Sequence, residues 1–300
     1  MTIQSNGTIN GNGHNAIELK GSNGSTRTLA KLINEGTIKG KIGIENGGSD
    51  FSGTITVKNF ENKKTIDGHI YMGIWRGNGT ISIETFNNEG TITSNDNDGV
   101  IYFEGTTHIK TFKNTGTIEG KNNQNSITVK AQNNQTPILE NFINEGFIKG
   151  KIGMQVNGDQ NTGSVIVNTF HNKGGGTIDG RVYYGWSKDG TISIETFNNE
   201  GTINYNNTSN GGKAAVEFEK INVTIQTFSN SGTISGNNKE GVLFEGNVHV
   251  GTFHNKQNGT IESKNGNYAI LLIGEKSNTP TLENFKNEGF IKGKIGVGNG

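Results

Sequence analysis

The chain has 300 residues, two prolines, no cysteine, and 27 basic residues against 27 acidic ones. Lack of cysteine excludes a disulfide framework and thiolate metal sites, and zero formal charge provides no basic stripe for a nucleic-acid backbone. Only 29% of residues are hydrophobic, but the 47 glycines bring the apolar-plus-glycine share to about 45%, near the globular norm.

The chain begins MTIQSNGTING, with neither the charged start nor the apolar stretch of a signal peptide. No segment is long and apolar enough to be a membrane-spanning helix, so membrane insertion by this chain is not expected. From Leu32 onward one phrase recurs: an aromatic residue or leucine, any residue, asparagine, then a turn into Thr-Ile or Phe-Ile. Its lead residues are Leu32, Phe60, Phe86, Phe112, Phe142, Phe170, Phe197, Phe228, Phe253 and Phe285. Two places after each stands Asn34, Asn62, Asn88, Asn114, Asn144, Asn172, Asn199, Asn230, Asn255 or Asn287. Ile3 fills the lead slot of a partial further copy. A repeat of about 28 residues cannot bury its own apolar face, so successive copies must stack.

The repeat reads as β. Apolar residues alternate with period two in Ile55-Thr56-Val57, Ile81-Ser82-Ile83 and Ile192-Ser193-Ile194. Three short strands are expected per repeat. One holds the Phe-x-Asn-x-Gly-Thr-Ile phrase, and one a brief apolar pair such as Ile42/Ile44, Ile101/Phe103, Ile152/Met154, Val242/Phe244 or Ile295/Val297. The third holds the Thr/Ile/Val run before the next aromatic. The residue three before each lead is also apolar, as in Val57 before Phe60, which predicts a corner between them. The expected fold is an all-β, right-handed parallel β-helix with three strands per coil and 10–11 rungs, each about 4.8 Å above the last. Residues 1–300 read as one such domain, a segment of a longer protein with no cap at its C-terminus.

Stacking predicts a phenylalanine column inside and an amide ladder of the ten asparagines, at a bend that suits asparagine. Charges alternate between rungs, as in Lys58, Glu84, Lys110 and Glu140, or Glu35, Lys63 and Glu89. Such pairs steady the register of a solvated face by a few tenths of a kcal/mol each, ~0.3.

Aromatic residues provide the candidate ligand contacts. HIYMGIWRGNGTISIE (69–84) and RVYYGWSKDGTISIE (181–195) are equivalent coils. They place Tyr71, or Tyr183 and Tyr184, and then the only tryptophans, Trp75 and Trp186, around a glycine-rich corner. Rings presented there would stack on sugars or anchor a protein partner. The position after Thr-Ile carries Asp67, Glu119, Asp179 and Glu262, but Thr93 and Lys149 occupy the same column. No catalytic pair is therefore assigned and no cofactor is expected. His171 and His254 share a position three coils apart, too far for one metal. SNDNDG (94–99) starts like a calcium loop, yet the required glutamate is replaced by Gly105, so it reads as a polar turn.

LINEGTIKG, TFNNEGTI, TFKNTGTIEG, TFSNSGTISG and NFKNEGFIKG resemble coils of autotransporter passenger domains, bacterial surface proteins of the type V secreted class. They also resemble filamentous-haemagglutinin-like exoproteins. The resemblance covers residues 3–297 and implies an extracellular, cell-surface β-helix, commonly an adhesin. The expectation is a non-enzymatic adhesin or aggregation scaffold that contacts a host or sibling-cell protein or glycan, or itself. A carbohydrate-binding or carbohydrate-cleaving β-helix and a passive stalk are the alternatives. Variable loops at 121–126, 131–136, 155–164, 204–213 and 274–279 are expected to hold specificity.

Overall fold

A computed structural model describes residues 1–299, apart from 46–51, 75–76, 97–98, 121–124, 133, 157, 159–161, 186–188, 207–210, 220–221, 266 and 276–277. Among the described residues there is no helix, and the chain is a parallel β-solenoid of about ten turns. Three pairing series run along it. The first joins Leu32–Asn34, Thr54–Asn62, Thr80–Asn88, Thr107–Asn114, Ile138–Asn144, Ser164–Asn172, Thr191–Asn199, Asn222–Asn230, Val248–Asn255 and Thr281–Asn287. The second contains the Thr-Ile strands, such as Thr65–Asp67 and Thr91–Ser94, and the third the apolar pairs, such as Ile70–Gly73 and Ile101–Glu104. The second and third series share one sheet, because their connection shrinks to a single glycine at Gly150 and disappears in Thr37–Glu45.

Strand boundaries depart from the sequence expectation. Phe-x-Asn ends a strand that already contains the Thr/Ile/Val run, and Thr-Ile opens the next strand after a turn. The corner expected between Val57 and Phe60 is a bend inside Thr54–Asn62. Pairing with the next turn skips Lys58 and Glu84, and both Val57 and Phe60 stay buried. Two outward residues in succession restore the inward parity without breaking the strand.

Register places like on like. Phe60, Phe86, Phe112, Phe142, Phe170, Phe197, Phe228, Phe253 and Phe285 stack with centroids 4.5–5.2 Å apart and planes within 13°. These spacings follow the strand separation, so the backbone sets the ring pitch. A second inward column from the third series meets this stack edge-on, through Phe103, Tyr184, Phe218 and Phe244. Each buried ring contributes about 1.5–3 kcal/mol of burial.

The asparagines form one unidirectional ladder. From Asn34 to Asn287, each Nδ2 donates to the next Oδ1 at 2.7–2.9 Å. The Nδ2 groups also reach carbonyls of the turns, as Asn172 does with Gly176 and Thr202 at 3.3 Å. Asparagine suits this position because one planar group both accepts and donates along the axis. The glycine two residues further on is required by close approach: a Cβ on Gly116 would stand 2.0 Å from the Gly90 carbonyl oxygen.

Candidate functional surface

The corner after the asparagine is nearly constant. It has two residues in most turns and four at 173–176 and 256–259. Most variation falls on the two corners beside the third series. The corner before that series ranges from none in Thr37–Glu45 to eight residues at 206–213, and the corner after it from two at 105–106 to eight at 46–53. All five variable loops centre on these corners, with end residues such as Asn125, Ala131, Val156, Tyr205 and Gly274 belonging to the flanking strands, and parts of each lie outside the described residues. The asparagine ladder runs beside the near-constant corner and stays continuous even where that corner grows to four residues, after Asn172 and Asn255.

The outward face of the third series is unusually closed. Side chains there alternate with the core-facing apolar pairs, so Tyr71, Tyr102, Thr128, Tyr183, Glu217 and Leu243 share a column with Gly43 and Gly153. The Tyr71 ring lies 5.8 Å from that of Tyr102 and has Lys41 Nζ 4.8 Å from its centroid. Its hydroxyl donates to Glu104 Oε2 at 2.8 Å. Tyr183 repeats the arrangement: Lys151 Nζ lies 4.5 Å and the Arg181 guanidinium 4.9 Å from its ring, and its hydroxyl donates to Glu219 at 3.1 Å. Burial, followed by the nearby glutamates, pushes both phenols well above the ordinary tyrosine range.

This geometry corrects the aromatic expectation for the tyrosines. Neighbouring turns cover the ring faces of Tyr71 and Tyr183 with cations or another ring, and a sugar needs such a face turned to solvent. Tyr184 is fully buried and stacks on Phe218 at 4.9 Å. Adjacent strand residues point to opposite sides, so Tyr183 and Tyr184 could not both face outward. Trp75 and Trp186 lie outside the described residues.

A charged network continues along this face. Arg181 Nη1 meets Glu217 at 2.9 Å with both side chains nearly enclosed, and Lys213 meets Glu219 at 2.9 Å and also bridges to Glu245. Burial pushes the Glu217 carboxyl up, against the opposing pull of Arg181. Sequence reading missed this network, because its members come from different repeats. Earlier on the solenoid, an open groove of about 740 Å³ is lined by His14, Glu18, Lys41, His69 and Asp96 over a floor that includes Gly40 and Gly68. His69 Nδ1 donates to the Gly99 carbonyl at 2.7 Å.

The remaining acidic candidates form a solvated column. Asp67, Thr93, Glu119, Lys149 and Asp179 follow one another in register, and Lys149 Nζ binds Glu119 Oε1 at 2.7 Å. A double-mutant cycle on Glu119 and Lys149 is expected to give a coupling below about 1 kcal/mol that fades with salt. A coupling of several kcal/mol would show a role beyond this face. His171 and His254 each meet a glutamate of the following turn, Glu200 at 3.1 Å and Glu288 at 2.7 Å. In the 94–99 turn, the Asp96 N–H donates to Ser94 Oγ, while residues 97–98 lie outside the described set. Among the described residues no three His, Asp or Glu side chains are grouped to hold a metal.

Comparison with protein-family models, curated proteins and solved structures finds no match.

Proposed function

We propose that this chain is part of a bacterial surface or secreted passenger protein, a right-handed solenoid of three-strand coils acting without catalysis as an adhesin or aggregation scaffold. The observation that carries the reading is the division of labour around each turn. One corner, beside the amide ladder, is nearly constant, and the large length variation is gathered on the two corners that flank the third series. A stacked backbone tolerates such loops because they add little closure cost, and they present varied chemistry from a rigid support. The partner is a host or sibling-cell glycan or protein.

Beads coated with the protein test this directly. Adhesion to host epithelial cells or clumping with sibling bacteria is expected. It should fall to background when the corners at 157–163 and 206–213 are shortened to the two-residue form found at 105–106, with the β spectrum of the chain retained. Background adhesion by the unaltered protein would contradict the adhesive reading and leave a passive stalk, and equal adhesion by both forms would remove the loops as its carriers.

A further inference from the structure

The corner before the third series changes length sharply over the first four turns. Asn10 and Ile17 align with Lys39 and Ile42, and Thr93 and Ile101 align with Asp67 and Ile70. Between these anchors the two outer turns hold six residues, 11–16, and seven, 94–100. The two inner turns hold only Gly40-Lys41 and Gly68-His69. The longer corners therefore stand as walls, three rungs or about 14 Å apart by strand spacing. The open groove of about 740 Å³ is the saddle between them, within the roughly 300–1,000 Å³ of small-molecule sites.

Its chemistry is polar throughout. Besides glycines, the lining consists of His14, Asn15, Glu18, Lys41, His69, Ser94 and Asp96. His69 is 6% exposed; its Nδ1 binds the Gly99 carbonyl, and its Nε2 has no hydrogen-bond partner among the described residues. Ser94 is 3% exposed; its Oγ accepts from the Asp96 N–H at 2.9 Å, and its own proton has no acceptor among them. Glu18 Oε1 takes both Asn15 Nδ2 at 2.6 Å and Lys20 Nζ at 2.9 Å, so Oε2 is left open. Buried polar groups require partners, and for His69 and Ser94 an occupant of the groove supplies them.

The lining also narrows the class of occupant. Lys41 is answered by Glu45 at 3.4 Å, so an acidic ligand would find no open cation. No apolar side chain lines the groove, and the anchor residues of a peptide would have no pocket. The floor strands Thr37–Glu45, Thr65–Asp67 and Ile70–Gly73 are paired on both sides and offer no edge to a peptide strand. Hydroxyl groups fit. Each both donates and accepts, so it pairs with Nε2 in either protonation state of the ring, with Ser94 Oγ and with a carboxylate oxygen.

We propose that this saddle binds an uncharged oligosaccharide lying across the solenoid, its hydroxyls hydrogen-bonded to Glu18 Oε2, His69 Nε2 and Ser94 Oγ. This specifies the glycan partner proposed above, and only its use in adhesion rests on that reading. The groove stands apart from it, because the corners at 157–163 and 206–213 belong to other turns.

Binding of the whole chain to a glycan array tests the site. The array carries uncharged oligosaccharides of glucose, galactose, mannose, fucose and N-acetylated hexosamines beside sialylated and sulfated ones. Uncharged members should be retained. Glu18→Ala should weaken them about tenfold or more, the effect of losing one hydrogen bond to a charged group. Its side chain is 38% exposed, so the core is left intact. Ser94→Ala should weaken them too. In solution the most strongly retained uncharged member should shift the His69 ring signals saturably and leave those of His171 and His254 in place. An array that retains no uncharged member, or only charged ones, would overturn the site. Retained sugars that bind Glu18→Ala and Ser94→Ala as tightly as the native chain would overturn it as well. Sugar binding kept by a chain whose beads adhere only at background would end the adhesive reading and leave the groove.

Discussion

Replacing Phe170 with alanine is expected to cost about 3–5 kcal/mol, the range for emptying a buried aromatic position. Phe170 is fully buried, and its centroid lies 4.7 Å from Phe142 and 4.9 Å from Phe197. The flanking rings cannot close the gap, because each is held by its own strand at the pitch of the sheet. Since each turn contacts chiefly its neighbours, the damage should divide the solenoid rather than weaken it evenly. Amide hydrogen exchange should quicken in Ile138–Asn144 and Thr191–Asn199, while distant turns such as Thr54–Asn62 remain protected. Uniform acceleration over the whole chain would contradict a nearest-neighbour stack.

The second large effect is expected from Asn172→Asp. Asn172 accepts from Asn144 at 2.8 Å and donates to Asn199 at 2.8 Å, with Gly176 and Thr202 carbonyls at 3.3 Å. Aspartate retains the acceptor side and loses the donor. Its charge would then face the Asn199 carbonyl oxygen and two backbone carbonyls, at a position with no exposed surface. An uncompensated buried charge of this kind costs about 3–5 kcal/mol. With its pKa raised above the unfolded value, the introduced carboxyl would destabilise most above its folded pKa, and the defect should shrink as pH falls and the group takes up a proton. Denaturant unfolding of the variant against the native chain, well above and well below the ordinary carboxylate range, checks both magnitude and sign. Asn287→Asp is the control. Asn287 accepts from Asn255 at 2.8 Å and is exposed in the last turn, so the change should cost less than about 1 kcal/mol. Equal penalties at the two positions would contradict the directional ladder.

Identical side chains stacked on themselves are the most readable feature of this sequence. The Phe and Asn columns needed only counting, because nearly every repeat contributes the same residue at the same offset. Strand ends were less readable: the x-Gly turn divides a phrase that looks continuous, and the Val57–Phe60 corner is absorbed as a bend where Lys58 leaves the pairing. The tyrosines show why the candidate surface resisted reading. Whether Tyr71 offers a ring face depends on Lys41 one turn before and Tyr102 one turn after, residues far from it in sequence.

Register is the claim on which the rest depends, and the chain's lack of cysteine makes it directly measurable. Ser193 and Thr224 are exposed partners on adjacent turns of the first series. Thr56 and Ser82, both half-buried, are a matching pair near the other end. Adjacent parallel strands lie within disulfide reach. Ser193→Cys with Thr224→Cys, and Thr56→Cys with Ser82→Cys, should cross-link readily under mild oxidation. Pairing Ser193→Cys with Gln226→Cys, two residues out of register, should not. Comparable cross-linking of the matched and offset pairs, or none in the matched ones, would contradict the stacked solenoid.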